Sequence, residues 1–175
     1  MSLKDVPVGD KAPDVVNVVI EISANGDPVK YEVNKDCDAI FVDRFLATPM
    51  RYPMNYGYIP QTLGDDGDPL DVLVYTPYPL PPGVVVPSRV IGMLNMEDEA
   101  GIDTKLVALP TEKILPQFKH IQKLEDIGEE LLAQVKHFFE HYKDLEKGKW
   151  VKVTGWEDTA KAKGEIIKAI AAYNK

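Results

Sequence analysis

Apolar positions in the first two thirds of the chain come in short runs. Val15 to Ile22 reads VVNVVIEI, dense in β-branched residues. Lys30 to Val33 and Ile40 to Phe45 follow, then Val72 to Val74, Val84 to Met96 and Lys105 to Leu109. Such runs, broken by turn residues, predict strands of a β-barrel or sandwich. Nine of the fourteen prolines lie between Pro49 and Pro87, and the segment from Thr76 to Gly83 (TPYPLPPG) reads as a stiff loop.

The last third changes period. Ile127, Leu131, Val135, Phe138, Tyr142 and Leu145 recur at steps of three and four, the spacing of one helix face. Asp126 and Glu129 have the spacing of a capping box at its start. Val151 to Trp156 returns to strand character, and a second helix is expected from about Thr159 to Tyr173, with Ala162, Ile166, Ala169 and Ile170 inward. The pattern predicts a β-core followed by two helices in a single domain over 1–175, a length one hydrophobic core serves.

Charge changes the picture. The net charge is −8, and residues 52–104 alone hold eight acids against Arg89. Those acids form two clusters, Asp65, Asp66, Asp68 and Asp71, then Glu97, Asp98, Glu99 and Asp103. A field of this sign repels a nucleic-acid backbone and attracts cations. In DDGDPLDV, Asp66, Asp68 and Asp71 stand at i, i+2 and i+5 around a glycine and a proline, and Val72 opens a strand. Crowded carboxylates raise one another's pKa, and a hard, oxygen-seeking divalent cation such as Mg²⁺ relieves that penalty. The segment is not an EF-hand loop: counted from Asp66, the glycine position holds Asp71 and the twelfth holds Pro77. Two acidic loops together would suit a site with more than one metal, of the kind that clamps a phosphoryl displacement.

A phosphate substrate also needs cations and donors. Lys30, Arg44, Lys105 and Lys143 are candidates, with phenols from Tyr52, Tyr56 and Tyr142. Lys30 and Glu32 alternate along a strand and so share a face. His137-Phe-Phe-Glu140-His141 matches the inverted zinc-peptidase pattern, but His120 is the only other histidine, and an interface or surface role fits the helix better. Cys37, the single cysteine, excludes an intramolecular disulfide. No apolar run reaches the roughly 18 residues of a membrane span. The first residues, MSLKDVP, lack an apolar signal core, so a cytoplasmic protein is expected.

Asp66-Gly-Asp68-Pro-Leu-Asp71-Val72 resembles the signature of the family I soluble inorganic pyrophosphatases in their short prokaryotic form. The resemblance extends through Val19–Ile22, Lys30–Glu32, Phe41–Arg44, Tyr52–Tyr58, Asp98–Asp103, His137–Lys143 and Gly148–Lys152. It implies an α+β, mainly β fold, a small OB-like closed β-barrel with two flanking C-terminal helices. It implies Mg²⁺-dependent hydrolysis of pyrophosphate to two orthophosphates, by a metal-activated water held between carboxylate-bound metals, several Mg²⁺ per subunit. By matching position, Asp66, Asp71 and Asp103 resemble ligands of the tightest metal, with Asp71 bridging to a second. Asp98 and Asp103 would hold a metal arriving with substrate, and Glu32 another. Asp68 resembles the residue that orients or deprotonates the attacking water. Tyr56 would lie near it, Tyr52 would support the site, and Glu21 would stand at its edge. Lys30, Arg44, Lys105, Tyr142 and Lys143 resemble phosphate binders. A homohexamer is implied too, with the His137 and His141 helix at a subunit interface. From the residues alone, three other readings stay open: a single-strand nucleic-acid module, a cation-binding protein without catalysis, and a hydrolase of other phosphoanhydrides.

Overall fold

The computed structural model describes residues 2–34 and 36–175. Its strands are β1 (Val15–Ile22), β2 (Val29–Asn34), β3 (Ala39–Phe45), β4 (Asn55–Tyr58), β5 (Asp71–Val74), β6 (Val85–Asp98), β7 (Gly101–Ile102) and β8 (Lys105–Pro110). Helix α1 (Glu129–His141), strand β9 (Val151–Glu157) and helix α2 (Thr159–Tyr173) complete the chain. The main sheet runs β1-β4-β5-β8-β6, and β6 pairs back onto β1, so five strands close a ring. The fold is mainly β with two helices, as expected for an OB-like barrel. β2 and β3 form a separate two-stranded sheet.

The ring closes because β6 is 14 residues long, far beyond the usual five or six, and bends at register shifts after Val90 and Asn95. One end pairs with β1, the other with β7 and β9. Alternate residues enter two apolar clusters. Leu73, Val107 and Leu109 join Val135, Phe138 and Phe139 of α1. Val72, Val74, Leu106 and Ala108 join Ala162, Ile166 and Ala169 of α2. Strands buried on both faces read as continuous apolar runs, which is the pattern of the sequence. Full burial of a side chain such as Ile166 contributes about 1.5–3 kcal/mol.

Three expectations are corrected. Asn55–Tyr58 is a strand, though its NYGY sequence predicts none. Gly57 lies so near β1 that a Cβ there would stand 1.9 Å from the Val19 carbonyl oxygen, so the strand exists through that close approach. Asp126 caps a preceding 3-10 turn, Leu124–Ile127, accepting from the Gln122 and Lys123 N–H groups at 2.8 and 3.1 Å. The α1 N-cap is instead Gly128, at φ +103°. The helix stops at His141, which leaves Leu145 exposed rather than on its inner face. The proline-rich segment is a loop, as expected. Buried Asn55 pins it, accepting from the Leu80 and Ala24 N–H groups and donating to Val74 O and Thr76 Oγ1.

Candidate active site

One cavity of about 530 Å³ opens among the β1–β2 segment, the β4–β5 loop, the β6–β7 turn and the end of α1. Each of the fourteen candidate residues lines it. Glu21 comes from β1, Lys30 and Glu32 from β2, and Arg44 from β3. Tyr56 lies on β4, and Tyr52 just before it. Asp66, Asp68 and Asp71 come from the loop and the first residue of β5, and Asp98, Asp103 and Lys105 from β6 to β8. Tyr142 and Lys143 follow α1.

Local rules shape the acidic loop. Asp66 Oδ1 accepts from the Asp68 N–H at 3.0 Å, an Asx turn, and Gly67 supplies the φ of +89° that the turn requires. Leu70 is buried beyond Pro69. Its carbonyl accepts from the Ile59 N–H at 2.9 Å and its N–H donates to Thr62 Oγ1 at 3.0 Å, so the loop is clamped before Asp71 emerges. Parallel pairing of β5 with β8 sets Asp71 opposite Lys105. The buried Lys105 Nζ donates to Asp71 Oδ2 and Asp103 Oδ1, each at 2.6 Å, and to Tyr56 Oη at 3.3 Å. Asp98 Oδ1 accepts from the Ala100 N–H at 2.8 Å, and its Oδ2 accepts from Lys143 Nζ at 2.6 Å.

The floor is aromatic. Tyr52 packs on Phe138 with ring centroids 4.6 Å apart and on Tyr56 at 5.1 Å, and Tyr142 stacks on Phe138 at 5.2 Å. Burial pushes the Tyr52, Tyr56 and Tyr142 hydroxyls above the ordinary phenol range, so they are neutral donors at physiological pH. Burial also raises Asp103, helped by Asp71 and Asp98 and opposed by Lys105. Lys105 titrates above the usual lysine range, because its two carboxylates outweigh desolvation. Glu21 is pushed up to about 7, mainly by burial, while the Val33 N–H it accepts at 2.8 Å works the other way. On β2, Lys30 Nζ stands 3.6 Å from both Glu32 and Asp43 carboxylates, so Lys30 and Glu32 do share a face.

Among the described lining residues are eight carboxyl groups and four cations, a formal charge of −4 with all of them ionised, and no histidine or cysteine. An all-oxygen acidic donor set fits a hard divalent cation. Among the described residues no three His, Cys, Asp or Glu side chains stand together as a ready metal site. Lysine ammoniums engage Asp71, Asp98 and Asp103 instead. The zinc-peptidase reading of α1 fails: the His137 and His141 rings lie 4.6 Å apart, but His141 Nδ1 pairs with Asp144 at 2.7 Å and Glu140 with Lys136. Val33, Asn34, Asp36, Tyr58 and Pro69 also line the cavity and were not anticipated. Tyr58 was within reach, since it closes the Tyr52–Tyr58 segment that carries the family resemblance. Asn34 and Asp36 bear no local mark of a site.

The inorganic pyrophosphatase family model matches residues 18–174. The chain belongs to the inorganic pyrophosphatase family. It is 57% identical over 175 residues to the inorganic pyrophosphatase of Pseudomonas aeruginosa, covering all of both chains. It is 59% identical over 167 residues to that of Escherichia coli, covering 95% of each. The crystal structure of inorganic pyrophosphatase from Thermus thermophilus superposes over the whole of both chains at a TM-score of 0.94 and 50% identity. The cavity is thus the candidate active site of an inorganic pyrophosphatase family member, an enzyme.

Proposed function

We propose that the chain, as one domain over 1–175, hydrolyses inorganic pyrophosphate to two orthophosphates with Mg²⁺. The observation that carries this reading is the meeting of all fourteen candidate residues in one cavity, with an acidic centre and cationic margins. Asp66, Asp71 and Asp103 would hold the tightest Mg²⁺. Asp71 would also serve a second, Asp98 and Asp103 one accompanying substrate, and Glu32 another. Bound there, Mg²⁺ supplies charge neutralisation and lowers the pKa of water.

The protein's own groups do the rest. Asp68 accepts a hydrogen bond from the attacking water and aims it at phosphorus. A new oxygen–phosphorus bond forms, the bridging bond breaks, and the bridging oxygen leaves with the second phosphate, which takes up the proton that the water gives up. Lys30, Arg44, Lys105 and Lys143 offset charge on the phosphoryl oxygens, the electrostatic support on which phosphoryl transfer depends. Tyr56 and Tyr142 donate hydrogen bonds as neutral phenols, Tyr52 buttresses them, and Glu21 holds the β2 backbone through Val33.

We place the enzyme in the cytoplasm, without nucleic-acid or membrane partners. The net −4 cavity supports the first exclusion. No helix among the described residues is long and apolar enough to cross a membrane. A homohexamer is supported by exposed apolar residues on β3, with Phe41 51% and Phe45 76% exposed, and by the exposed histidines of α1.

The test is orthophosphate release from pyrophosphate with Mg²⁺, with chelator, and with ATP in parallel. Fast release that needs the metal and is scant from ATP is expected. No release with any divalent metal would overturn the proposal.

A further inference from the structure

The geometry points to Glu146 as a positioning residue that acts through Arg44. The inference rests on the phosphate-binding role proposed for Arg44 above. Glu146 does not line the cavity. It sits on the turn that follows α1, its N–H donating to Lys143 O at 2.9 Å and its carbonyl accepting from the Lys149 N–H at 3.2 Å. Its Oε1 stands 3.3 Å from Arg44 Nε, and its side chain is only 17% exposed. Arg44 lies on β3, opposite Lys30 of β2, in the small sheet that is not hydrogen-bonded into the main one. The pair therefore ties two structural units. One carries Lys30 and Arg44, the other Tyr142 and Lys143, and the four line the same cavity.

Arg44 Nε and Glu146 Oε2 are both buried, and neither has a hydrogen-bond partner among the described residues. The Nε contact is thus an ion pair without hydrogen-bond alignment. Burying a carboxylate oxygen and a guanidinium nitrogen without hydrogen bonds is unfavourable, and the opposite charges at 3.3 Å offset part of that cost. An arginine has five donors in a rigid fork. A carboxylate beside Nε leaves the four Nη donors for phosphoryl oxygens and removes the rotamer freedom of the long stem before substrate arrives. Glu146 presents Arg44 in the orientation that a phosphate needs.

The test is steady-state kinetics on pyrophosphate at saturating Mg²⁺, with Arg44→Ala, Glu146→Ala, Glu146→Gln and the Arg44→Ala/Glu146→Ala double variant. Glu146→Ala should raise KM by about tenfold with kcat within about twofold, because orientation is lost while the reacting groups remain. Glu146→Gln, which keeps the shape and packing but loses the charge of the ion pair, should raise KM by about threefold. In the Arg44→Ala background the second substitution should change KM by less than about twofold, since a strut without its beam does nothing. A KM that stays level or falls in Glu146→Ala, or full additivity with Arg44→Ala, overturns the inference. Loss of kcat and melting temperature together with KM would mark a merely structural role and overturn it as well. Should Glu146→Ala not fold, Glu146→Gln carries the same comparison. An Arg44→Ala variant with unchanged KM overturns the phosphate role of Arg44 itself. A raised KM in Arg44→Ala beside an unchanged one in Glu146→Ala overturns the strut alone.

Discussion

Replacing Glu21 by glutamine removes a carboxyl that the fold holds against its charged form. Glu21 is 6% exposed and titrates near 7 rather than 4.5. Burial is the largest cause, the Val33 N–H opposes it, and Asp71 and Glu32 add repulsion that Lys30 partly offsets. The folded protein therefore binds more protons than the unfolded chain between pH 4.5 and about 7, and stability falls as pH rises through that window. A shift of this size corresponds to about 3 kcal/mol of penalty, absent at pH 4.5 and complete above 7. Glutamine has the same shape and its amide oxygen still accepts the Val33 N–H, so Glu21→Gln loses the penalty and keeps the bond. For a chain of this length about 3 kcal/mol is a gain of about 6–12 °C in melting temperature. Calorimetry with chelator present, at one protein concentration from pH 5 to 8.5, should show the two proteins separating as pH rises, with the variant the more stable. Parallel curves, or a wild type more stable at pH 8.5, would show that Glu21 is not held in its acid form and refute the reasoning.

Three further outcomes are expected. Asp71→Asn should weaken Mg²⁺ binding and turnover together, while Asp68→Asn should depress kcat more than metal affinity; metal titration beside phosphate release separates them, and equal losses in both variants would contradict the division of roles. Mg²⁺ at one hundred times its Kd should stabilise the protein by about 2.7 kcal/mol, a rise of about 5–11 °C that chelator reverses, and a melting temperature indifferent to the metal would count against a metal site. Gly57→Ala should cost about 3 kcal/mol or more in urea unfolding, because the new Cβ would overlap backbone of β1 at 1.9 Å; a near-neutral result would mean that β1 and β4 separate easily.

The legible parts of this chain are those whose signal is local. Val15–Ile22 and Thr159–Tyr173 could be bounded from β-branched density and helical period, and both strand and helix have those limits in the structure. The DGDPLD segment stood out because like charges crowded on a turn need compensation, and the structure sets Asp66, Asp68 and Asp71 on one cavity. β4 was illegible because its strand character comes from β1 and β5 on either side, and its central Gly57 is a weak strand former chosen for close approach. Leu145 failed for a related reason: helical period continues in the sequence past the point where the chain turns after His141. Asn34, Asp36 and Glu146 are ordinary polar residues on a strand end and turns, and only the tertiary fold brings them to the cavity or to Arg44. The family resemblance singled out the fourteen candidate residues that line the cavity, whereas residue chemistry alone marked lysines and tyrosines no different from those of any surface.

The charge of the cavity explains why the lysines and carboxylates occur together. Eight carboxylates and four cations leave −4 among the described lining residues, and a pyrophosphate adds further negative charge. Two unit charges 4 Å apart cost about 4 kcal/mol at an effective dielectric of 20, so the anion cannot enter on its own. Lys105 and Lys143 relieve the acids in the protein itself, at 2.6 Å from Asp71, Asp103 and Asp98. Those same ammoniums are among the groups proposed to meet phosphate, and one ammonium cannot fully serve both partners. Under the function proposed above, the substrate would enter with divalent cations that take over the neutralisation of the carboxylates. A set of lysines alone would bind the polyanion without such cations and would then hold both product phosphates as firmly. A carboxylate set alone would bind metal and repel the anion. The register that sets Asp71 against Lys105 puts one carboxylate and one ammonium side by side, and on the proposed reading metal and substrate occupancy would then depend on each other.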